Sequence, residues 1–313
     1  MARKIFGIGE TVFDIVFRCG QPQAAVPGGS TFNAMVSLGR TVGRRFPEVE
    51  VSMLTQMGKD NVSDIILSFM KENNLNTAYV SVAEGVQSTV SMAMLNENND
   101  ASYEFFRDGK MPPFKAGDIS FTKDDILLFG SFFAISEGTR DETARIVNMA
   151  REAGATIYYD INFRKSHLLD LPKTIGFIEE NCRLSDIVRG SAEDISYVYG
   201  TDNADEVYEK HMKKLCSTFI CTRGADCVEV FSDGKKCSFD IDKIETVSTI
   251  GAGDNFNAGT IYGLVRDGIF KEQASRLRQE DWAKLVPTAT RFSAAVCQSM
   301  FNYVGPEFAD DEL

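Results

Sequence analysis

The sequence predicts an α/β fold, a mostly parallel sheet covered by helices on both faces, with a small all-β insertion. Three observations carry this prediction. Short apolar, β-prone segments alternate with segments of helical periodicity along most of the chain, and such alternation implies parallel strands joined by crossover helices. One stretch breaks the alternation, with three β-prone segments and no helix between them. The chain is 313 residues long, 43% hydrophobic and 25% charged, which suits a large soluble core in one big α/β domain or two smaller ones.

The elements follow in order. Lys4 to Gly9 is a short apolar strand ending in glycine, and residues 30–42 show a helical pattern with Phe32, Val36 and Leu38 on or near one face. Val51 to Met57 reads as a strand. Asp60 caps a helix to about Asn73, with Ile65, Ile66, Phe69 and Met70 as its apolar stripe. Thr77–Val82, Ser88–Leu95 and Ser102–Phe106 form the β insertion, with a polar turn at Asn96 to Asp100. Alternation resumes with a strand at Ile126–Phe129, a helix over 139–153 and a strand at Thr156–Tyr159. Then come a helix over 173–182, a short strand at Asp186–Val188, helices over 192–199 and about 204–215, and a strand at Thr218–Cys221. Asp233-Gly234, between Val228–Phe231 and Lys236–Ile241, is a hairpin signal because both residues tolerate positive φ. Helices at about 253–267 and 281–301 follow, the second carrying Trp282, Leu285, Val286, Ala289, Phe292, Val296 and Met300 at core spacing. The acidic end from Phe308 to Leu313 reads as frayed and solvated.

Composition excludes several classes. A net charge of −12 opposes a broad nucleic-acid or anionic-membrane footprint, while a small phosphate ligand needs only local donors and a few cations. No apolar run reaches transmembrane length and the start lacks a secretory apolar segment, so a cytoplasmic protein is expected. The seven cysteines (Cys19, Cys182, Cys216, Cys221, Cys227, Cys237 and Cys297) form no Cys-x-x-Cys pair and read as free thiols. With only His167 and His211, a histidine-rich metal site is excluded, and catalysis rests on carboxylates, Arg/Lys and backbone groups. Gly7-Ile8-Gly9 begins a dinucleotide fingerprint, but Val12 takes the third glycine position and the motif fails; no Walker-type phosphate loop occurs.

The most informative segment is Thr249-Ile250-Gly251-Ala252-Gly253-Asp254-Asn255-Phe256-Asn257-Ala258-Gly259. Gly251 and Gly253 allow a tight turn and close backbone approach to a ligand, where a helix begins and its first N–H groups lack internal partners. With the helix dipole these groups, from Ala252, Gly253 and Asp254, favour an anion. Asp254 sits beside it, and an anion hole with an adjacent carboxylate base is what phosphoryl transfer to a hydroxyl requires. Taken alone, the segment reads equally well as a loop with a helix cap. Two upstream features share its order: Gly9-Glu10-Thr11-Val12-Phe13-Asp14, a carboxylate after the first strand, and Gly28-Gly29-Ser30-Thr31-Phe32-Asn33, a glycine pair opening a helix with an amide in its first turn. Asp14 and Asn33 suit bidentate binding of ligand hydroxyls, and Gly28 and Gly29 let backbone pack close to such a ligand.

In this order the three features resemble the ribokinase family of carbohydrate kinases, also called the PfkB family, over essentially the whole chain. The resemblance implies a single ribokinase-like domain over 1–313, three-layer α/β/α with a mostly parallel central sheet. It also implies a small β-sheet lid formed from about 11–27 and 77–110. Phe105-Phe106-Arg107 ends the insertion, and the fructokinase-like and ketodeoxygluconate-kinase-like members use an arginine here to reach the substrate. Asp160-Ile161-Asn162-Phe163-Arg164 resembles the Asp-x-Asn-x-Arg element of that subgroup, which implies substrate contacts for Asn162 and Arg164. Where the family usually carries Asn-x-x-Glu, this chain has Ser191-Ala192-Glu193-Asp194, so Mg2+ is expected to be held by Asp194 or Glu193 through water and by the nucleotide phosphates. Ser191 as a helix cap is the alternative. Thr222-Arg223-Gly224 resembles the family's nucleotide loop, and Ala295 to Asn302 is placed by the adenine. Ser248 stands where many relatives have the Asp of a potassium-binding loop, which leaves open a monovalent cation such as K+.

The implied reaction is ATP-dependent phosphorylation of a sugar primary hydroxyl with Asp254 as base, most readily of the fructokinase type. Ketodeoxygluconate kinase, ribokinase and an adenosine-type nucleoside kinase are the alternatives within the fold, and a non-catalytic sugar or nucleotide sensor is the alternative from another class. The expected partners are sugar and ATP, with no nucleic acid and no membrane. The exposed edges of the β insertion further predict a homodimer through the lid.

Overall fold

The computed structural model describes residues 3–95 and 101–310; the expected turn at Asn96–Asp100 and the last three residues lie outside them. In chain order the elements are β1 (Lys4–Ile8), β2 (Val12–Arg18), β3 (Gln21–Gly28), α1 (Ser30–Arg45), β4 (Glu50–Gly58), α2 (Asn61–Glu72), β5 (Leu75–Asn76), β6 (Val80–Ala83), β7 (Val90–Leu95) and β8 (Ala101–Phe106). There follow β9 (Ile126–Gly130), α3 (Arg140–Glu152), β10 (Thr156–Asp160), α4 (Leu171–Leu184), β11 (Ile187–Ser191), α5 (Ala192–Tyr199) and α6 (Ala204–Lys210). The last are β12 (Thr218–Thr222), β13 (Cys227–Ser232), β14 (Lys235–Asp240), α7 (Ala252–Arg266), α8 (Lys271–Ala274) and α9 (Gln279–Cys297).

The central sheet runs β14-β13-β12-β11-β10-β9-β1-β4-β5, with β6 also on β4. It is parallel from β12 to β5, and the β12–β13–β14 end is antiparallel. Strand alternation splits the core in two. Ile5, Val51, Met53, Ile126 and Tyr158 face α1, α2, α7 and α9, while Phe6, Ile8, Leu127, Phe129 and Tyr159 face α3 to α6. This is the three-layer α/β/α arrangement, and the near-continuous apolar strands are what burial on both faces demands. A second, four-stranded sheet runs β3-β2-β7-β8. Asp233 and Gly234 close the β13–β14 hairpin with φ of 52° and 68°, as a primed turn requires.

Several expectations change. Thr77–Val82 does not belong to the second sheet: β6 pairs in parallel with Thr55–Gly58. Strand β4 is nine residues long and β5 covers only Val51 and Ser52, so β6 pairs the rest, Thr55–Gly58. The second sheet is therefore built from 12–28 and 90–106. The helix expected over 204–215 stops at Lys210 and a 3-10 turn covers Met212–Lys214. In α2, Ile66 and Met70 are buried but Ile65 is half exposed. Helix α9 ends at Cys297, which leaves Met300 outside it and partly exposed. The acidic end is anchored rather than frayed through Asp310. Pro306–Asp310 is a 3-10 turn whose Phe308 packs edge-on against Phe292, ring centroids 4.9 Å apart, and Arg45 Nε donates to the Ala309 carbonyl at 2.7 Å. An aromatic ring buried on α9 outweighs the solvation of its acidic neighbours. All seven cysteines are free.

Candidate active site

The carboxyl ends of the parallel strands and the N-terminus of α7 lie together, where open α/β sheets place their ligands. Gly251 caps α7 with φ 78°. A Cβ there would come within 2.6 Å of the Asn302 carbonyl oxygen, so both conformation and space require glycine. Asp254 follows in the first turn, 7% exposed. Its two oxygens are held separately: Ser30 Oγ donates to Oδ1 at 2.8 Å and Asn33 Nδ2 donates to Oδ2 at 2.8 Å. Both donors stand in the first turn of α1, which packs against α7 and brings residues about 220 positions apart into contact. Burial raises the Asp254 pKa above the ordinary carboxylate value, opposed by the Asn33 hydrogen bond, the charge of Arg164, the Ser30 hydrogen bond and the charge of Arg189.

Asn33 therefore faces the expected base. Its amide is spent on Asp254, while its Oδ1 is buried without a partner among the described residues. The carboxylate expected to meet the acceptor comes from the second sheet. Asp14 is 4% exposed on β2 and accepts from Ser91 Oγ on β7 and, at 3.4 Å, from Asn302 Nδ2. Burial pushes its pKa up to about 6, with the charges of Asp254 and Glu10 adding to the rise. Gly28 lies directly against the Asp14 carboxylate and Gly29 against the Glu10 carbonyl. Val16 and Ala93, on the same face as Asp14, pack with Ala24 and with Ile250 just before α7, so this face looks onto the anion site.

Tyr103 and Phe105 share that face. Phe105 lies opposite Ser91 in the ladder, and Ser91 opposite Asp14. The two rings stack at 5.9 Å and 14°, and both are about 40% exposed. Desolvation, then the charge of Asp14, raises the Tyr103 phenol pKa, while Arg164 lowers it and Asp254 adds to the rise. Neither ring was picked out from sequence, although alternation along β8 marks Tyr103 and Phe105 for the same face. Arg107 itself is paired bidentately with Glu10, at 2.9 Å for both bonds, and lies over the Phe105 ring. Arg164 is exposed after β10, and Asn162, buried, takes a positive φ of 35°.

The residues expected to bind nucleotide differ more from expectation. Ser191 caps α5: its Oγ accepts from the Asp194 N–H at 3.0 Å, and Asp194 Oδ2 accepts from the Ser191 N–H and Oγ at 2.7 Å each. Asp194 is thereby part of a capping box, because two short polar side chains three apart at a helix start satisfy each other's backbone. Exposed Glu193 accepts from the Tyr197 hydroxyl at 2.6 Å. No group of three His, Cys, Asp or Glu side chains placed to hold a metal occurs among the described residues. The remaining fit is of the kind magnesium accepts, one or two carboxylates acting through water with phosphates supplying the rest. Arg223 is turned away toward Glu229, at 2.5 Å, and the Asp202 carbonyl. Gly224 has φ 57° with open space where a side chain would stand. Asn302 lies against Asp14 and Gly251 rather than with Thr222–Gly224, because its carbonyl accepts from Asn255 Nδ2 at 2.8 Å and fixes the segment beside α7. Ser248 is buried, its hydroxyl accepting from the Ile250 N–H.

A charged residue absent from the sequence reading lies at the centre. Arg189, on β11, is 6% exposed; its Nη1 donates to Asp160 Oδ1 at 3.2 Å and its Nη2 to Thr222 Oγ1 at 2.5 Å. An arginine directly after the apolar pair Ile187-Val188, within a buried strand, was the available signal.

Comparison with known proteins agrees with this architecture. A fructokinase of Rhizobium leguminosarum bv. trifolii is 25% identical over 266 residues, 82% of this chain and 77% of that protein. The structure of aminoimidazole riboside kinase from Salmonella enterica, complexed with aminoimidazole riboside and an ATP analog, is similar with a TM-score of 0.78 at 20% identity, covering 98% of each chain. Fructokinase from Vibrio cholerae O395, bound to fructose, ADP and calcium ion, gives a TM-score of 0.80 at 17% identity, covering 96% of this chain and 94% of that one. Residues 4–302 match the profile of the pfkB family carbohydrate kinase. With nearly the whole chain matched and the three-layer fold shared, the protein belongs to the pfkB family of carbohydrate kinases.

Proposed function

We propose that this kinase transfers the γ-phosphoryl group of ATP to a primary hydroxyl of a sugar, with fructose the first acceptor to test. The observation that carries the reading is the state of Asp254: a buried carboxylate in the first turn of a 15-residue helix, each oxygen oriented by one side chain of α1. The acceptor oxygen attacks the γ-phosphorus, the bond to ADP breaks, and the hydroxyl proton passes to Asp254. A raised pKa brings the base closer to the working pH and strengthens its pull on the proton. The N–H groups of Ala252, Gly253 and Asp254 meet the charge on the transferring group, aided by the helix dipole. Asp14 and the free Oδ1 of Asn33 bind acceptor hydroxyls, and the second sheet covers the site against water. Asp194 and Glu193 would hold Mg2+ through water, with the nucleotide phosphates as its other ligands, and the ion would supply neutralisation of phosphate charge.

A riboside acceptor is the second reading. It is favoured by the stacked, half-exposed Tyr103 and Phe105 on the Asp14 face, which offer a planar surface to a base. A panel of hexoses, ketoses, 2-keto-3-deoxygluconate, ribose and nucleosides with ATP and Mg2+, read by ADP release, separates the two. In the same assay Asp254→Asn lowers kcat by about 10²-fold or more with the fold retained. Near-normal turnover by the folded variant removes Asp254 as base, and ADP release dependent on none of the acceptors favours a sensor.

A further inference from the structure

Gly253 stands in the anion-binding turn, yet its backbone is helical and its φ is not in the left-handed region. What requires glycine there is on the protein side. A Cβ would lie 2.7 Å from Nη1, 2.8 Å from Nη2 and 3.1 Å from Cζ of Arg189, distances that side chains do not sustain. The guanidinium thus lies directly beneath the first turn of α7. It is tied to Asp160 at the end of β10 and to Thr222 at the end of β12. Asp160 in turn accepts from Asn257 Nδ2 at 2.8 Å, one turn further along α7, and Asn257 Oδ1 accepts from the Tyr158 hydroxyl at 3.0 Å. Three strand ends and the start of one helix converge on a single planar cation.

We propose that Arg189 is a positioning residue for phosphoryl transfer: its guanidinium seats the first turn of α7 on the ends of β10, β11 and β12, and Gly253 is required by that guanidinium rather than by a ligand. The proposal rests on the kinase reading above. Asp160 balances the charge locally, so the contribution is geometric. A flat fork with donors in two directions holds Asp160 and Thr222 at once, which the single ammonium of lysine does not reproduce. The turn carries both the anion-binding N–H groups and Asp254, so a shift of this seat is felt in the transition state more than in acceptor binding.

The test is a double-mutant cycle between Gly253→Ala and Arg189→Ala, read by kcat, acceptor KM and Tm, with Arg189→Lys alongside. Gly253→Ala is expected to lower kcat about 10²-fold with acceptor KM within about 3-fold, and to lower Tm by about 3 °C. In the Arg189→Ala background the same change costs less than about 2-fold in kcat and no Tm. Because Asp160 would be left unpaired, the cycle is repeated in an Asp160→Asn background, where folding does not depend on the arginine's charge. Arg189→Lys keeps the charge and still loses about 10-fold in kcat. A Gly253→Ala penalty that is the same with and without Arg189, a silent Gly253→Ala, or full rescue by lysine overturns the proposal. Should the unmodified protein release no ADP with any acceptor, the kinase reading fails, and the Tm arm still decides whether Arg189 is what excludes a side chain at position 253.

Discussion

Removing the amide of Asn33 isolates what the tertiary structure does to the base. Asp254 accepts one hydrogen bond on each oxygen, from Ser30 and Asn33, both at 2.8 Å. A hydrogen bond to an ionised group contributes about 1.5–3 kcal/mol, and one pKa unit corresponds to about 1.4 kcal/mol. Asn33→Ala therefore raises the pKa of Asp254 further, by about one to two units, since the bond favours the charged form and burial already opposes it. The active base is the carboxylate, so the acidic limb of kcat/KM moves to higher pH by that amount. Well above the limb, what remains of the loss is the acceptor contact that Oδ1 of Asn33 no longer makes. The assay is ADP release at limiting acceptor across about pH 5 to 9, which reports the free enzyme's essential groups. A fall in kcat/KM with the limb unmoved refutes the reasoning and leaves Asn33 only its other role, a ligand for acceptor hydroxyls.

Three further outcomes follow from the same geometry. Asp14 has its pKa raised to about 6, so the stability it contributes is present below the ordinary carboxylate pKa of 3.8 and is lost as pH climbs through about 6. Asp14→Asn should then raise stability at pH 8 by on the order of 2 kcal/mol, leave it nearly unchanged at pH 4, and raise acceptor KM at least about 10-fold; a Tm gain that does not vary with pH refutes the linkage. Gly251→Ala, at φ 78° with the Asn302 carbonyl in the way, costs about 2–4 kcal/mol in urea unfolding, and a change below about 0.5 kcal/mol would show the turn to be unstrained. The edge strands β3 and β8, with Phe106 55% exposed on the latter, point to a homodimer through the second sheet; small-angle scattering that shows only monomer at micromolar concentration contradicts it.

Much of this fold was legible because its information is local. Short unbroken apolar runs at Ile5–Ile8 and Ile126–Gly130, helical period in Phe32–Leu38, and the paired positive φ of Asp233 and Gly234 are properties of a few adjacent residues. Strand β6 was misplaced because nothing within Val80–Ala83 says that β4 outruns β5. Met300 was misplaced because a helical pattern does not announce where its last turn frays. The Ser191–Asp194 pair was readable as a cap from its spacing alone, and that is what it is.

For the site, the sequence by itself determined the chemical inventory: one carboxylate at a glycine-rich helix start, one after the first strand, two histidines and no metal-binding cysteine pattern. Those choices are covalent and fixed along the chain. Only the tertiary structure decided that Asn33 orients Asp254, that Asn302 backs Asp14 and Gly251, that Arg107 is held by Glu10, and that Arg189 occupies the space under Gly253. Each is a contact between residues far apart in the chain, set by how α1 and α7 pack and by which strands are neighbours. Such contacts depend on the register of the whole sheet, which no short window of sequence contains.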